Sequence, residues 1–208
     1  MRSVGASLRL SYQALDEGCR AAFRVLGLHP GGGIDVYAAG ALLGVPAREA
    51  EAVLELLLDV HLVQQLEIGV YAFHDLVRSF ARGLVGGTGE GEVAVERLLG
   101  YYLTATEVAC GVLFPDRVGR VTGLAVSGAE LPDLGDVVRA GAWFERELGA
   151  LSLAVLLAQG RGLDRFVVCL VRNVGFQLHA RGGWRSLRSW AGWRWVRRGG
   201  WGIWSCWG

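Results

Sequence analysis

Over the first 85 residues, short apolar faces at helical three-four spacing are cut apart by glycine and proline, and this pattern leaves few architectures open. In residues 11–27, Tyr12, Leu15, Cys19, Ala22, Phe23 and Leu26 recur on one helical face. That spacing predicts a single helix with Ser11 as its N-cap and Gly27 as its stop. His29-Pro30-Gly31-Gly32-Gly33 then reads as a turn. No strand precedes these glycines and no GK[ST] follows them, so they do not form a phosphate cradle. A second, short helix is predicted over 35–43, ending at Gly44. Pro46 stands at the favoured first-turn position of a third helix over 47–60, whose apolar face is Ala50, Val53, Leu54, Leu57 and Leu58. Residues 62–66 and 70–73 read as two short strands joined by Glu67-Ile68-Gly69, and a further helix runs over 75–84. Three helices, a β-hairpin and another helix make a winged-helix pattern, which assigns residues 1–85 to one domain.

The glycine-rich run 86–91 (GGTGEG) reads as a linker. Beyond it, residues 92–184 are predicted helical. Residues 93–113 carry an apolar face of Val95, Leu98, Leu99, Tyr102, Leu103, Thr106 and either Val108 or Ala109. Residues 115–139 are loop-like, and two more helices follow at 138–159 and 163–180. Paired helices of this length suit a solenoid of the tetratricopeptide kind, although no clean period of roughly 34 residues is present. The expected fold class is therefore mainly α: a winged-helix domain followed by a tetratricopeptide-like helical region.

Composition narrows the function. With 52% hydrophobic and 20% charged residues the chain has a globular profile rather than a disordered one. No apolar stretch reaches membrane-spanning length, and MRSVGASLRL lacks the marks of a secretory signal, so a cytoplasmic protein is expected. Cys19, Cys110, Cys169 and Cys206 are far apart, as are His29, His61, His74 and His179. Neither set has metal-ligand or disulfide spacing. No nucleophile–base pair or paired carboxylate stands out, so no catalytic residue is assigned and an enzyme is not expected. All 21 basic residues are arginine. A Walker-type phosphate loop requires its lysine, which this sequence does not supply.

A winged helix commonly invites a DNA-binding reading, in which the recognition helix meets a polyanion with exposed basic residues. The helix at 47–60 instead offers Glu49, Glu51, Glu55 and Asp59 against Arg48 alone. Phosphate would repel such a helix. Direct DNA binding is disfavoured, and a packing or ligand-closing role is favoured; a freestanding DNA-binding transcriptional regulator is the alternative.

The run LSYQALDEGCRAAFRVLGLHPGGGIDVYAAGALLGV, together with LLDVHLVQQLEIGVYAFHDLVRSFA, resembles the segment that follows the nucleotide-binding core of bacterial NB-ARC (STAND-class) regulators. RLLGYYLTATEVA and AWFERELGALSLAVLLAQGRGLDRF resemble the helical region of AfsR-like regulators. The resemblance covers about residues 3–183. Phe73-His74-Asp75-Leu76 matches the family's "MHD"-type motif. It implies that His74 contacts the β-phosphate of ADP in the closed state, with Asp75 holding the local geometry. The alternative is that His74 merely caps the helix beginning at Asp75. The resemblance also implies that the phosphate loop, Walker B strand and sensor arginine lie upstream of Ser3. No cofactor is expected for this chain alone, and ADP or ATP only with an NB-ARC core supplied in cis or trans. Protein partners are expected through the helical region.

The charge distribution is uneven. Residues 1–180 hold 15 arginines against all 20 acidic residues, whereas 181–208 hold six arginines, no acid and seven of the eight tryptophans. Residues 185–208 therefore form a Trp/Arg/Gly-rich tail, expected to be disordered or an out-of-frame extension. An Arg/Trp segment for membranes or anionic polymers is the functional alternative.

Overall fold

The computed structural model describes residues 4–85, 89–116, 128–180, 193–198 and 201–206. The chain is mainly helical, with a small three-stranded antiparallel sheet near its start and no helix among the described residues long and apolar enough to cross a membrane. The first predicted helix is two: α1 (Val4–Ala14) and α2 (Glu17–Leu26). The apolar spacing runs across the break, but Asp16 interrupts the backbone. Its side chain accepts from the Cys19 backbone N–H at 2.8 Å, capping α2 and leaving Ser11 inside α1. Leu15, Cys19, Ala22, Phe23 and Leu26 are buried and Tyr12 is half-buried, so the apolar face holds while the helix boundary moves.

Strand β1 (Gly33–Asp35) takes the last residue of the expected turn and the first of the helix expected over 35–43, and it pairs with β3. Helix α3 (Val36–Leu43) is capped by Asp35, whose Oδ1 accepts from Ala38 N–H at 2.7 Å, and ends at Gly44 in the left-handed region (φ 73°). Helix α4 (Ala47–Asp59) follows Pro46, which has no side-chain oxygen to cap it. Glu130 does so from 83 residues away, accepting from Ala47 N–H at 3.1 Å. The helix exits through His61, whose φ of 59° is left-handed, with Leu62 N–H bonded back to Leu57 O at 2.9 Å. Strands β2 (Gln64–Glu67) and β3 (Val70–Ala72) form a hairpin turned at Ile68-Gly69, with Gly69 at φ 75°, and β3 is the central strand of the order β1-β3-β2. Helix α5 (Asp75–Leu84) then lies against α2.

Gly89–Gly91, expected in a linker, form the first turn of α6 (Gly89–Leu113); residues 86–88 lie outside the described residues. Helices α6, α7 (Val137–Gly160) and α8 (Asp164–Ala180) pack against one another, and α6 also covers the all-apolar α3. Of the two alternatives at the end of the α6 face, Ala109 is buried and Val108 exposed. Buried Asn173 pins α8 to α6 by donating to Thr106 Oγ1 at 3.0 Å. Much of the loop expected at 115–139 (residues 117–127) lies outside the described residues. In the tail, Trp193–Arg198 (β4) and Trp201–Cys206 (β5) pair antiparallel; 181–192, 199–200 and 207–208 lie outside the described residues.

Candidate functional site

His74 and Asp75 stand where β3 passes into α5. Phe73 and Val77 are buried on either side, while His74, Asp75 and Leu76 are all exposed, Leu76 to 66%. His74 occupies the N-cap position with extended backbone (φ −63°, ψ 146°) but makes no side-chain capping bond. Its imidazole therefore does not serve the first turn of α5. The free N–H groups of that turn and the helix dipole make this end of α5 favourable to an anion, although Asp75 in the same turn carries a negative charge of its own.

One and two turns along α5, Arg78 and Arg82 point back to the 27–32 loop. Arg78 donates to the carbonyls of Gly31 and Gly32, and Arg82 donates to Gly27 O at 2.8 Å and His29 O at 3.1 Å. The loop between α2 and β1 is thus tied to α5 through its backbone, which is why it can hold a fixed shape despite three glycines.

That loop carries a polar network the sequence did not reveal. Gly31 N–H donates to His29 Nδ1 at 3.2 Å, which leaves the ring proton on Nε2. Nε2 lies 2.8 Å from Tyr102 Oη on α6, and the Tyr102 hydroxyl in turn reaches Glu147 Oε2 on α7 at 3.4 Å. Arg146 donates to Glu147 Oε1 and to Asp35 Oδ2, each at 3.0 Å. His29, Asp35, Tyr102 and Glu147 are all buried. Burial, helped by Arg78 and Arg82, holds His29 down at about 3, so it is neutral. Burial and the nearby Asp35 charge raise Glu147 to about 7, and burial also raises Asp35. The sequence carried little sign of it: Glu147 stands in the charged run Glu145-Arg146-Glu147, which reads as a solvated patch, and His29 stands in a glycine turn.

His74 and Asp75 belong to neither this network nor the cavity beside it, which lies between the β2–β3 hairpin and α7 and has a volume of about 450 Å³. Helix α4 exposes Arg48, Glu49, Glu51, Glu55 and Asp59, with Tyr71 hydroxyl donating to Glu55. Among the described residues, no three His, Cys, Asp or Glu side chains gather as a metal site.

By sequence the chain is similar to bacterial regulatory proteins. It is 38% identical over 125 residues to regulatory protein AfsR of Streptomyces coelicolor (strain ATCC BAA-471 / A3(2) / M145), which is 57% of this chain and 12% of that protein. To regulatory protein AfsR of Streptomyces griseus it is 39% identical over 121 residues, 56% of this chain and 12% of that protein. The chain thus matches about an eighth of the length of these relatives. No family model and no solved structure matches it.

Proposed function

We propose that this chain is a regulatory and interaction module of a STAND-type signal-transducing regulator. Residues 4–85 act in it as a winged helix, and α6–α8 begin a tetratricopeptide-like region that receives protein partners. In this reading the winged helix closes over a nucleotide-binding core supplied in cis or trans, and His74 donates to the β-phosphate of ADP held by that core. The observation that carries it is the exposed His74 at the N-cap of α5 with no capping bond of its own. A side chain committed to local structure would be folded back on the first turn. The module performs no catalysis in this reading, and its similarity to AfsR regulatory proteins supports a place in regulation rather than metabolism.

Calorimetry with ADP tests it. The chain alone is expected to bind no ADP. Mixed with the nucleotide-binding core of such a regulator, it is expected to raise ADP affinity, and His74→Ala is expected to remove that gain. Equal affinity with wild type and His74→Ala would overturn the ADP contact. The acidic exposed face of α4 speaks against direct DNA binding, and a mobility shift with genomic fragments at physiological salt is expected to show none.

A further inference from the structure

The His29–Tyr102–Glu147–Arg146–Asp35 network joins parts of the chain that are distant in sequence: Arg146 and Asp35 are 111 residues apart, and His29 and Tyr102 are 73 apart. It lies where the β-containing N-terminal part meets α6 and α7. Its charge count is unusual. Two carboxylates, Asp35 on one side and Glu147 on the other, share one guanidinium, and both carboxylates are buried while the Arg146 side chain is 40% exposed. With both acids ionised the cluster carries one uncompensated negative charge on two buried side chains, and one bound proton neutralises it.

We propose that this cluster is a proton-linked clamp: Asp35 and Glu147 take up one proton between them, and the N-terminal part then holds α6 and α7 more tightly. The proton has a route in. The cavity beside the β2–β3 hairpin is lined by Leu66, Glu67, Val70, Arg146, Glu147 and Leu153, so it leads from the hairpin to the cluster. The groups that face Glu147 are Arg146 on its own helix, Tyr101 and Tyr102 on α6, Asp35 at the start of α3, His29 through Tyr102, and Glu67 across the cavity. Arg78 and Arg82 lie beyond His29 and act on it. No cation other than Arg146 bonds the carboxylate pair in this set.

The sign follows from linkage. A carboxyl raised to about 7 in the packed state contributes stability that is present at low pH and lost as pH rises through that value. The proton belongs to the coupled pair rather than to one oxygen. His29 acts oppositely, because opening the interface frees it to bind a proton below about 6.5. A comparison of wild type with Glu147→Gln removes that contribution, since His29 is common to both.

The experiment is hydrogen exchange of the full chain at pH 6 and pH 8, corrected for intrinsic rates and read at the amides of α3, including Ala38, and of α6. The ratio of opening constants, wild type over Glu147→Gln, is expected to rise about tenfold from pH 6 to pH 8. A ratio that stays constant would overturn the clamp. Should Glu147→Gln not fold, carbon-13 NMR of the carboxyl groups in wild type decides. A titration near neutral pH in the Asp35–Glu147 pair supports the clamp, and titration of both below pH 5 overturns it.

Discussion

His29 Nε2 lies 2.8 Å from Tyr102 Oη, and both side chains are buried, so a turn near the start of the chain is fixed by a hydroxyl on α6. The Gly31 N–H on the other ring nitrogen sets the tautomer, and the direction of every donor along the chain to Glu147 follows from it.

Tyr102→Phe removes the hydroxyl and leaves the His29 N–H buried without a partner. The expected loss is about 1–3 kcal/mol, the cost of an unsatisfied buried polar group rather than of an average hydrogen bond. Urea denaturation measures it. The double variant His29→Leu, Tyr102→Phe is expected to lose less than the two single losses added together, since it removes both partners. Strict additivity would show that the pair does not interact.

His29 should remain neutral, with its proton on Nε2, down to pH 4.5. Its value near 3 in the folded chain is depressed by burial and by Arg78 and Arg82. It therefore contributes stability that is present above about 6.5 and lost as pH falls toward 3. Nitrogen-15 NMR of the imidazole reads both tautomer and charge. A charged ring at pH 5.5 in the folded protein would contradict the buried geometry.

Gly31→Ala is expected to be destabilising although Gly31 has no positive φ. A Cβ there would stand 2.8 Å from Ala150 Cβ and 2.9 Å from the His29 ring, so the loop would have to lift from α7. Overpacking of this kind costs about 1–3 kcal/mol. Gly32→Ala, with nothing within 4 Å of its Cβ, is the matched control and should lose far less. Thermal melts of the two variants make the comparison.

His61→Gly should stabilise the chain slightly. A left-handed residue other than glycine costs about 1–2 kcal/mol, and glycine gives back about 0.4–1 kcal/mol through the unfolded state. The net expectation is a gain of about 0.5 kcal/mol at this exposed exit from α4. A loss of stability in denaturant titration would mean that the His61 side chain makes a contact worth more than the strain.

Local periodicity made α4 and α6 legible, because Ala50, Leu54 and Leu57, or Leu98, Leu99 and Tyr102, line one face whatever they pack against. The break at Asp16 was not legible. The apolar spacing continues through it, and only the bond that Asp16 accepts from the Cys19 N–H shows that the helix restarts there. Strand β1 was hidden for another reason. Three residues beginning with glycine carry no pattern of their own, and they become a strand only because β3 is there to pair with. His74 and Asp75 were found through a resemblance, and the structure adds their exposure and the missing capping bond.

The sequence by itself determined the apolar faces of most helices, that no lysine-based phosphate loop can exist in the chain, and that helix α4 presents acid to solvent. These are properties of residue type and short-range spacing. The tertiary structure alone decided that Glu130 caps α4, that α5 arginines hold the 27–32 loop, and that Asp35, His29, Tyr102, Arg146 and Glu147 form one cluster. A helical face signals its burial within a few residues. Partners 73, 83 or 111 residues apart are brought together only when the hydrophobic core closes between them, and no local spacing encodes that meeting.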